Sequence, residues 1–181
     1  MTMDAPLPIG VREPLPGVVY PPPRKLAHYL QAGALTRETL ADALRDAFRL
    51  HAGRTALAGP AGQMSYQALD EQSERFAAAL LGLGLAPLDR VVFQIANSFE
   101  LVVGFVACLK AGLIPVCTLA AHREHEIGYL AQHSAARLHF VQGDDPKFDD
   151  VAFAQRMQQE APTLQHIVQA RGAPRGTALA M

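Results

Sequence analysis

An α/β architecture is predicted by three features of the sequence. From residue 90 onward, short apolar runs alternate with helical segments: strands over 90–96, 114–119, 137–141 and 165–169, helices over 98–111, 123–134 and 149–160. The runs, among them "VVFQIA" and "LIPVCTL", are almost unbroken in apolar residues, as strands covered on both faces require. Strand–helix–strand order with short connections selects parallel pairing through right-handed crossovers. Together these predict Rossmann-like alternation around a mainly parallel sheet.

Each element before that body has its own signal. Seven of the thirteen prolines fall in residues 1–23, so that stretch is predicted as an extended arm lying on a surface, with neither regular helix nor central strand. "RKLAHYLQAG" reads as a short helix closed by Gly33. In "TRETLADALRDAFRLHAG", Leu40, Ala43, Leu44, Ala47 and Phe48 recur at i, i+3, i+4, i+7 and i+8, with Thr36 or Thr39 as cap and Gly53 at the end. "RTALAGPAGQMSY" predicts a hairpin turning at Pro60-Ala61-Gly62. "SYQALDEQSERFAAALLGLG" predicts a helix capped by Ser65, with Leu69, Phe76, Ala77, Leu80 and Leu81 inward and Gly82 and Gly84 ending it. The tail "RGAPRGTALAM" has no periodicity and reads as an unfinished connection over 171–181, leaving 24–170 as the α/β body.

Composition excludes several classes. Half the residues are hydrophobic and the net charge is −1, so no basic excess points to nucleic acid or anionic lipid. At 181 residues the chain can bury a core without a disulfide or metal staple. Cys108 and Cys117 lie in apolar runs and read as buried structural thiols of a reducing compartment. "MTMDAPLPIG" lacks the features of a signal peptide, and a cytoplasmic location is expected. Residues 101–121 carry Lys110 as their one charge and are long enough to span a bilayer, yet Gly112 and Pro115 interrupt them, so a soluble helix and strand are expected instead.

The stretch "HREHE", residues 122–126, is the most suggestive polar cluster. His122 and His133 lie about 16 Å apart along a helix and cannot share an ion whose ligands sit at about 2 Å. The order H-x-x-H-E also departs from the H-E-x-x-H protease pattern. Two readings remain open: a solvated helix start, with Glu124 and Glu126 complementing the helix dipole, or a ligand-facing start just after a strand's carboxyl end. No glycine-rich phosphate loop and no G-x-S-x-G elbow is present. "GDDPKFDD" reads as a loop and helix start, and His28, His51, His139 and His166 are scattered without a nucleophile at a telling spacing.

The string from Met64 to Leu119 resembles the opening part of the adenylate-forming ligases. Ser65-Tyr66 with Leu69, Asp89-Arg90-Val91, Asn97 and Lys110-Ala111-Gly112 carry that resemblance by their order and spacing. The flanks "AAHREHEIGYLAQHSAA" and "KFDDVAFAQRMQQEAPTLQHIVQARG" resemble the branch that activates aryl acids, typified by 2,3-dihydroxybenzoate–AMP ligase, and the resemblance covers roughly residues 18–172. Leu88 stands where that family commonly has glycine, and Ala120 where the branch often has proline.

The resemblance implies the first α/β part of a large N-terminal domain, within a parent enzyme that uses ATP and Mg²⁺ to activate an aryl or acyl carboxylic acid as acyl-AMP. Transfer to a thiol of coenzyme A or a carrier protein follows. The family's phosphate loop and catalytic lysine have no counterpart here, so the chain alone is expected to bind none of these cofactors, to be inactive, and to need the remainder of the ligase. No catalytic residue carries over; His122 and Arg123 are the expected substrate-binding residues. Neither nucleic acid nor membrane is an expected partner. The alternative is a free-standing, non-catalytic α/β module that binds a small molecule or completes a split enzyme.

Overall fold

The computed structural model describes residues 19–173, 175–176 and 178–181; most of the predicted proline-rich arm therefore lies outside the described residues. The chain divides into two compact units, 1–47 and 48–181.

In the first unit, helix α1 (Pro23–Gln31) starts on a proline, whose missing N–H is no loss in a first turn. Helix α2 (Leu40–Leu50), whose last three residues belong to the second unit, begins after Thr39, whose Oγ1 accepts the Asp42 N–H at 3.1 Å, which decides between the two predicted caps. Leu40, the first member of the predicted stripe, is 60% exposed.

The second unit opens with the predicted hairpin. Strands β1 (Thr55–Gly59) and β2 (Gly62–Ser65) pair antiparallel around Pro60 and Ala61. Helix α3 (Tyr66–Gly82) follows, with Ser65 Oγ accepting the Ala68 N–H at 3.1 Å. Its inward residues are Leu69, Ser73, Ala77 and Leu80. Leu81 corrects the predicted stripe: it lies 45% exposed, because it follows Leu80 directly and is turned about 100° away from the inward row.

A five-stranded parallel sheet forms the body: β3 (Arg90–Gln94), β4 (Ile114–Cys117), β5 (Leu138–Gln142), β6 (His166–Ala170) and β7 (Leu179–Ala180), in the order β4-β3-β5-β6-β7. Helices α4 (Phe99–Lys110), α5 (Glu124–His133) and α6 (Asp150–Glu160) connect them. Strands β3 and β4 end two residues before the predicted limits, since the apolar runs continue into the connections; Ile95 stays buried beyond β3. The tail, aperiodic in sequence, carries β7, paired parallel with β6 through Val168–Leu179 and Gln169–Ala180. Two residues are too few for a pattern to register.

Alternation along the strands separates the two faces. Val91, Phe93, Leu138, Phe140 and Val168 pack with α3 and α4 residues such as Ala77, Leu80 and Ala107. Val92 packs on the other side with Ile127 and Ala131 of α5 and Phe153 and Met157 of α6. α4 lies close on the sheet because Gly104 leaves room: a Cβ there would come within 2.9 Å of Phe140 and 3.2 Å of Phe93. Lys110, its side chain only 2% exposed, ties α4 to α3 through Asp70 Oδ1 at 2.6 Å and Glu74 Oε2 at 3.1 Å. Cys108 is buried as predicted, but Cys117, the last residue of β4, is exposed.

Leu88 donates its N–H to Gly112 O at 2.8 Å from a left-handed backbone with φ of 73°. A side chain is strained there, which gives a physical reason for glycine to suit this position. Leu88→Gly is expected to stabilise the protein by up to about 1 kcal/mol, read as a higher urea midpoint with an unchanged slope. A lower midpoint would show that the leucine side chain contributes more than the backbone strain costs.

Candidate functional site

The chain reverses direction across the sheet between β3 and β5: α4 leads from β3 outward to β4, and α5 returns across β3 to β5. In an open parallel sheet such a reversal opens a crevice outside the carboxyl ends of the strands. The end of β3, the β4–α5 connection bearing "HREHE", and the β5–α6 connection meet at this edge.

Gln94, the last residue of β3, is fully buried after the apolar run Val91-Val92-Phe93. Its Nε2 donates to His122 O at 2.8 Å and reaches Ala120 O at 3.5 Å. Its Oε1 lies 3.0 Å from His139 Nε2 on β5. Burial pushes the His139 pKa down to about 3, so the ring is neutral, and an accepting Oε1 places its proton on Nε2.

Above this pair sit the two residues expected to bind substrate. Arg123 Nη1 donates to the same two carbonyls, Ala120 O at 2.9 Å and His122 O at 2.7 Å. Its guanidinium carbon stands 3.7 Å from the centre of the Phe148 ring, a cation–π stack across to the β5–α6 connection. Arg123 Nε and Nη2 have no acceptor among the described residues, and the side chain is half-buried. His122, also half-buried, turns Nδ1 toward the Leu119 N–H at 3.5 Å.

The "HREHE" segment thus starts α5 at Glu124, with both glutamates in the first turn. Glu126 accepts the Arg123 N–H at 3.1 Å, which holds its carboxyl below the usual range, in place of the i,i+4 contact to His122 that spacing allows. Tyr129 and His133 stack at 5.3 Å on the exposed face. Among the described residues no group of three or more His, Cys, Asp and Glu side chains could hold a metal ion, and no helix is long and apolar enough to cross a membrane.

Two acids and a second arginine complete the edge. Asp150, at the start of α6, is 1% exposed, and its Oδ2 has no hydrogen-bond partner among the described residues. Burial raises its pKa to about 6, with Asp145 and Asp149 adding to the shift and the Gln142 hydrogen bond and Arg123 opposing it. Arg171, just after β6, binds Asp144 through Nε at 2.9 Å and Nη2 at 3.0 Å, and reaches Glu100 at 3.3 Å. It therefore joins the β5 and β6 exits to the start of α4. Two open grooves flank the edge: one of about 460 Å³ beside β3 and β4, lined by Ile95, Phe105, Cys117 and Leu119, and one of about 680 Å³ between α3, α4 and β7.

Sequence reasoning singled out His122 and Arg123, read Asp150 only as part of the loop and helix start in "GDDPKFDD", and passed over Gln94 and Phe148. A glutamine inside "VVFQIA" was the available signal for Gln94. Nothing local marks Phe148 as the stacking partner of an arginine 25 positions earlier.

The sequence model of the family described as AMP-binding enzyme matches residues 44–180. The chain belongs to the AMP-binding enzyme family. Among relatives of this family, the salicyl-AMP ligase / salicyl-S-ArCP synthetase of Mycobacterium tuberculosis is 38% identical over 159 residues, which cover 85% of this chain and 28% of that protein. The vibriobactin-specific 2,3-dihydroxybenzoate-AMP ligase of Vibrio cholerae is 38% identical over 151 residues, 83% of this chain and 28% of that protein. The apo structure of MbtA from Mycobacterium smegmatis superposes with a TM-score of 0.77 at 29% identity, covering 84% of this chain and 28% of that one. The chain thus spans less than a third of the length of these AMP-binding relatives.

A buried acid with a raised pKa binds its proton more tightly in the folded than in the unfolded state. For Asp150, stability is fully present below the unfolded value of 3.8 and is lost as pH rises through about 6. Asp150→Asn is expected to flatten this part of the stability–pH profile and to raise Tm at pH 7.5 relative to the parent, with little difference at pH 3.5. Equal Tm differences at both pH values would refute the assignment.

Proposed function

We propose that this chain forms the opening part of an ATP-dependent ligase that activates an aryl carboxylic acid. The acid and ATP give acyl-AMP and pyrophosphate, and the acyl group then passes to a thiol of coenzyme A or of a carrier protein. What supports this reading most is the family match over residues 44–180, together with 38% identity to two aryl-acid AMP ligases. The reversal of the chain between β3 and β5 adds a crevice at the edge where such sheets bind ligands.

Within that reading, His122 and Arg123 meet the carboxylate end of the acid. A guanidinium offers planar paired donors to a carboxylate, and Arg123 has Nε and Nη2 without acceptors among the described residues. Neither ATP nor Mg²⁺ fits the residues described: they offer no metal-holding group, and the sequence has no glycine-rich phosphate loop. Those tasks are assigned to the remainder of the ligase.

Two outcomes test the proposal. The purified 181-residue chain should show no acid-dependent ATP–pyrophosphate exchange, whereas the whole ligase should show it with salicylate or 2,3-dihydroxybenzoate; exchange by the chain alone would overturn the division of labour. In the whole ligase, Arg123→Met should raise KM for the acid by about tenfold or more, the equivalent of one lost charge-assisted hydrogen bond. An unchanged KM would remove Arg123 from the acid site.

A further inference from the structure

The Ala120 and His122 carbonyls are each approached from two sides. Arg123 Nη1 reaches them at 2.9 and 2.7 Å, and Gln94 Nε2 reaches them from the sheet at 3.5 and 2.8 Å. The β4–α5 connection is thus clamped between a guanidinium and a buried amide. We infer that Gln94 is a positioning residue: held in one amide orientation by His139, it fixes the two carbonyls on which the Arg123 guanidinium rests, and so aims that guanidinium at the acid. The inference builds on the proposed role of Arg123 in the acid site.

The role of His139 follows from the chemistry of the amide. A glutamine side chain can turn over, exchanging its oxygen and nitrogen. In the observed orientation Oε1 faces His139 Nε2 at 3.0 Å and Nε2 faces two carbonyl oxygens. The flipped orientation would set Oε1 against those carbonyls and NH₂ against the ring N–H, with repulsion at both ends. The two carbonyls, which can only accept, and a His139 ring bearing its proton on Nε2 therefore hold the amide in one orientation from both ends. His139 is fully buried, and among the described residues its Nδ1 has no hydrogen-bond partner. The ring's hydrogen bond is the one to Gln94. A buried polar pair of this kind is costly unless satisfied, and here it orients a neighbouring segment.

The test uses the whole ligase and, separately, the 181-residue chain labelled with ¹⁵N. Gln94→Met keeps length and removes both donors. Expected are a rise in the acid KM comparable to that of Arg123→Met, about tenfold, with KM for ATP within about twofold, and a shift of the Arg123 side-chain resonances in the labelled chain. His139→Phe, which leaves the buried Oε1 of Gln94 without its donor and so loosens the amide, should reproduce the loss, and His139→Gln, which restores an N–H donor, should recover part of it. If Gln94→Met does not fold, the two His139 variants carry the test alone. An effect of Arg123→Met with none from Gln94→Met or His139→Phe overturns the inference and leaves the acid-site reading standing. No effect of Arg123→Met overturns the acid-site reading. In that case Arg123 resonances that still move in Gln94→Met would retain the clamp without its function, and unmoved ones would sink both.

Discussion

A fully buried amide at the end of an interior strand constrains the carboxyl edge of this sheet where β3, β5 and the β4–α5 connection meet. Gln94 has two hydrogens and an oxygen to satisfy without water, and an unpaired buried polar group costs about 1–3 kcal/mol. The register of β3 against β5, with Val92 opposite His139 and Gln94 opposite Val141, brings the ring within reach of Oε1. The course of the β4–α5 connection brings two carbonyls to Nε2. A slip of one residue in β3 would turn this side chain to the opposite face, into the phenylalanine cluster of α3 and α4.

That opposite face obeys a different rule, close packing. Phe93 and Phe140 meet edge to face with centroids 5.1 Å apart, and α4 crosses them at Gly104. Seating a helix so near a sheet buries Lys110, which is accommodated because Asp70 and Glu74 of α3 reach its ammonium. Both faces of the sheet are packed with apolar side chains, and the α5–α6 face also carries the Gln94–His139 pair, which reaches the β4–α5 connection.

Charge at the edge is arranged in two groups. Arg171 is committed to Asp144 and Glu100, so it braces the exits of β5 and β6 against the start of α4. Arg123 is not matched to an acid in this way; its contacts are two carbonyls and the face of Phe148. Asp150 lies near enough to feel Arg123, yet burial and two neighbouring aspartates hold it toward the neutral form. Arg123 thus acts on Asp150 and Glu124 through its charge at a distance, without a salt bridge to either.

The succession of strands and helices was legible in the sequence because most strands are nearly unbroken apolar runs and several helices carry their own caps, as Ser65, Ser98 and Asp149 do for α3, α4 and α6. Local signals of that kind depend only on neighbours along the chain. Membership in the ligase family was legible too, through ordered short motifs, and so were His122 and Arg123 as polar residues after a strand end. What tertiary structure alone decided was partnership. That Gln94 meets His139, 45 positions on, and that Arg123 stacks on Phe148, follows from strand order and register, which bring distant residues to one edge. The same holds for β7, whose two residues become a strand only because β6 offers them an edge to pair with. Periodicity says which face of an element is buried; only the assembled sheet says against what.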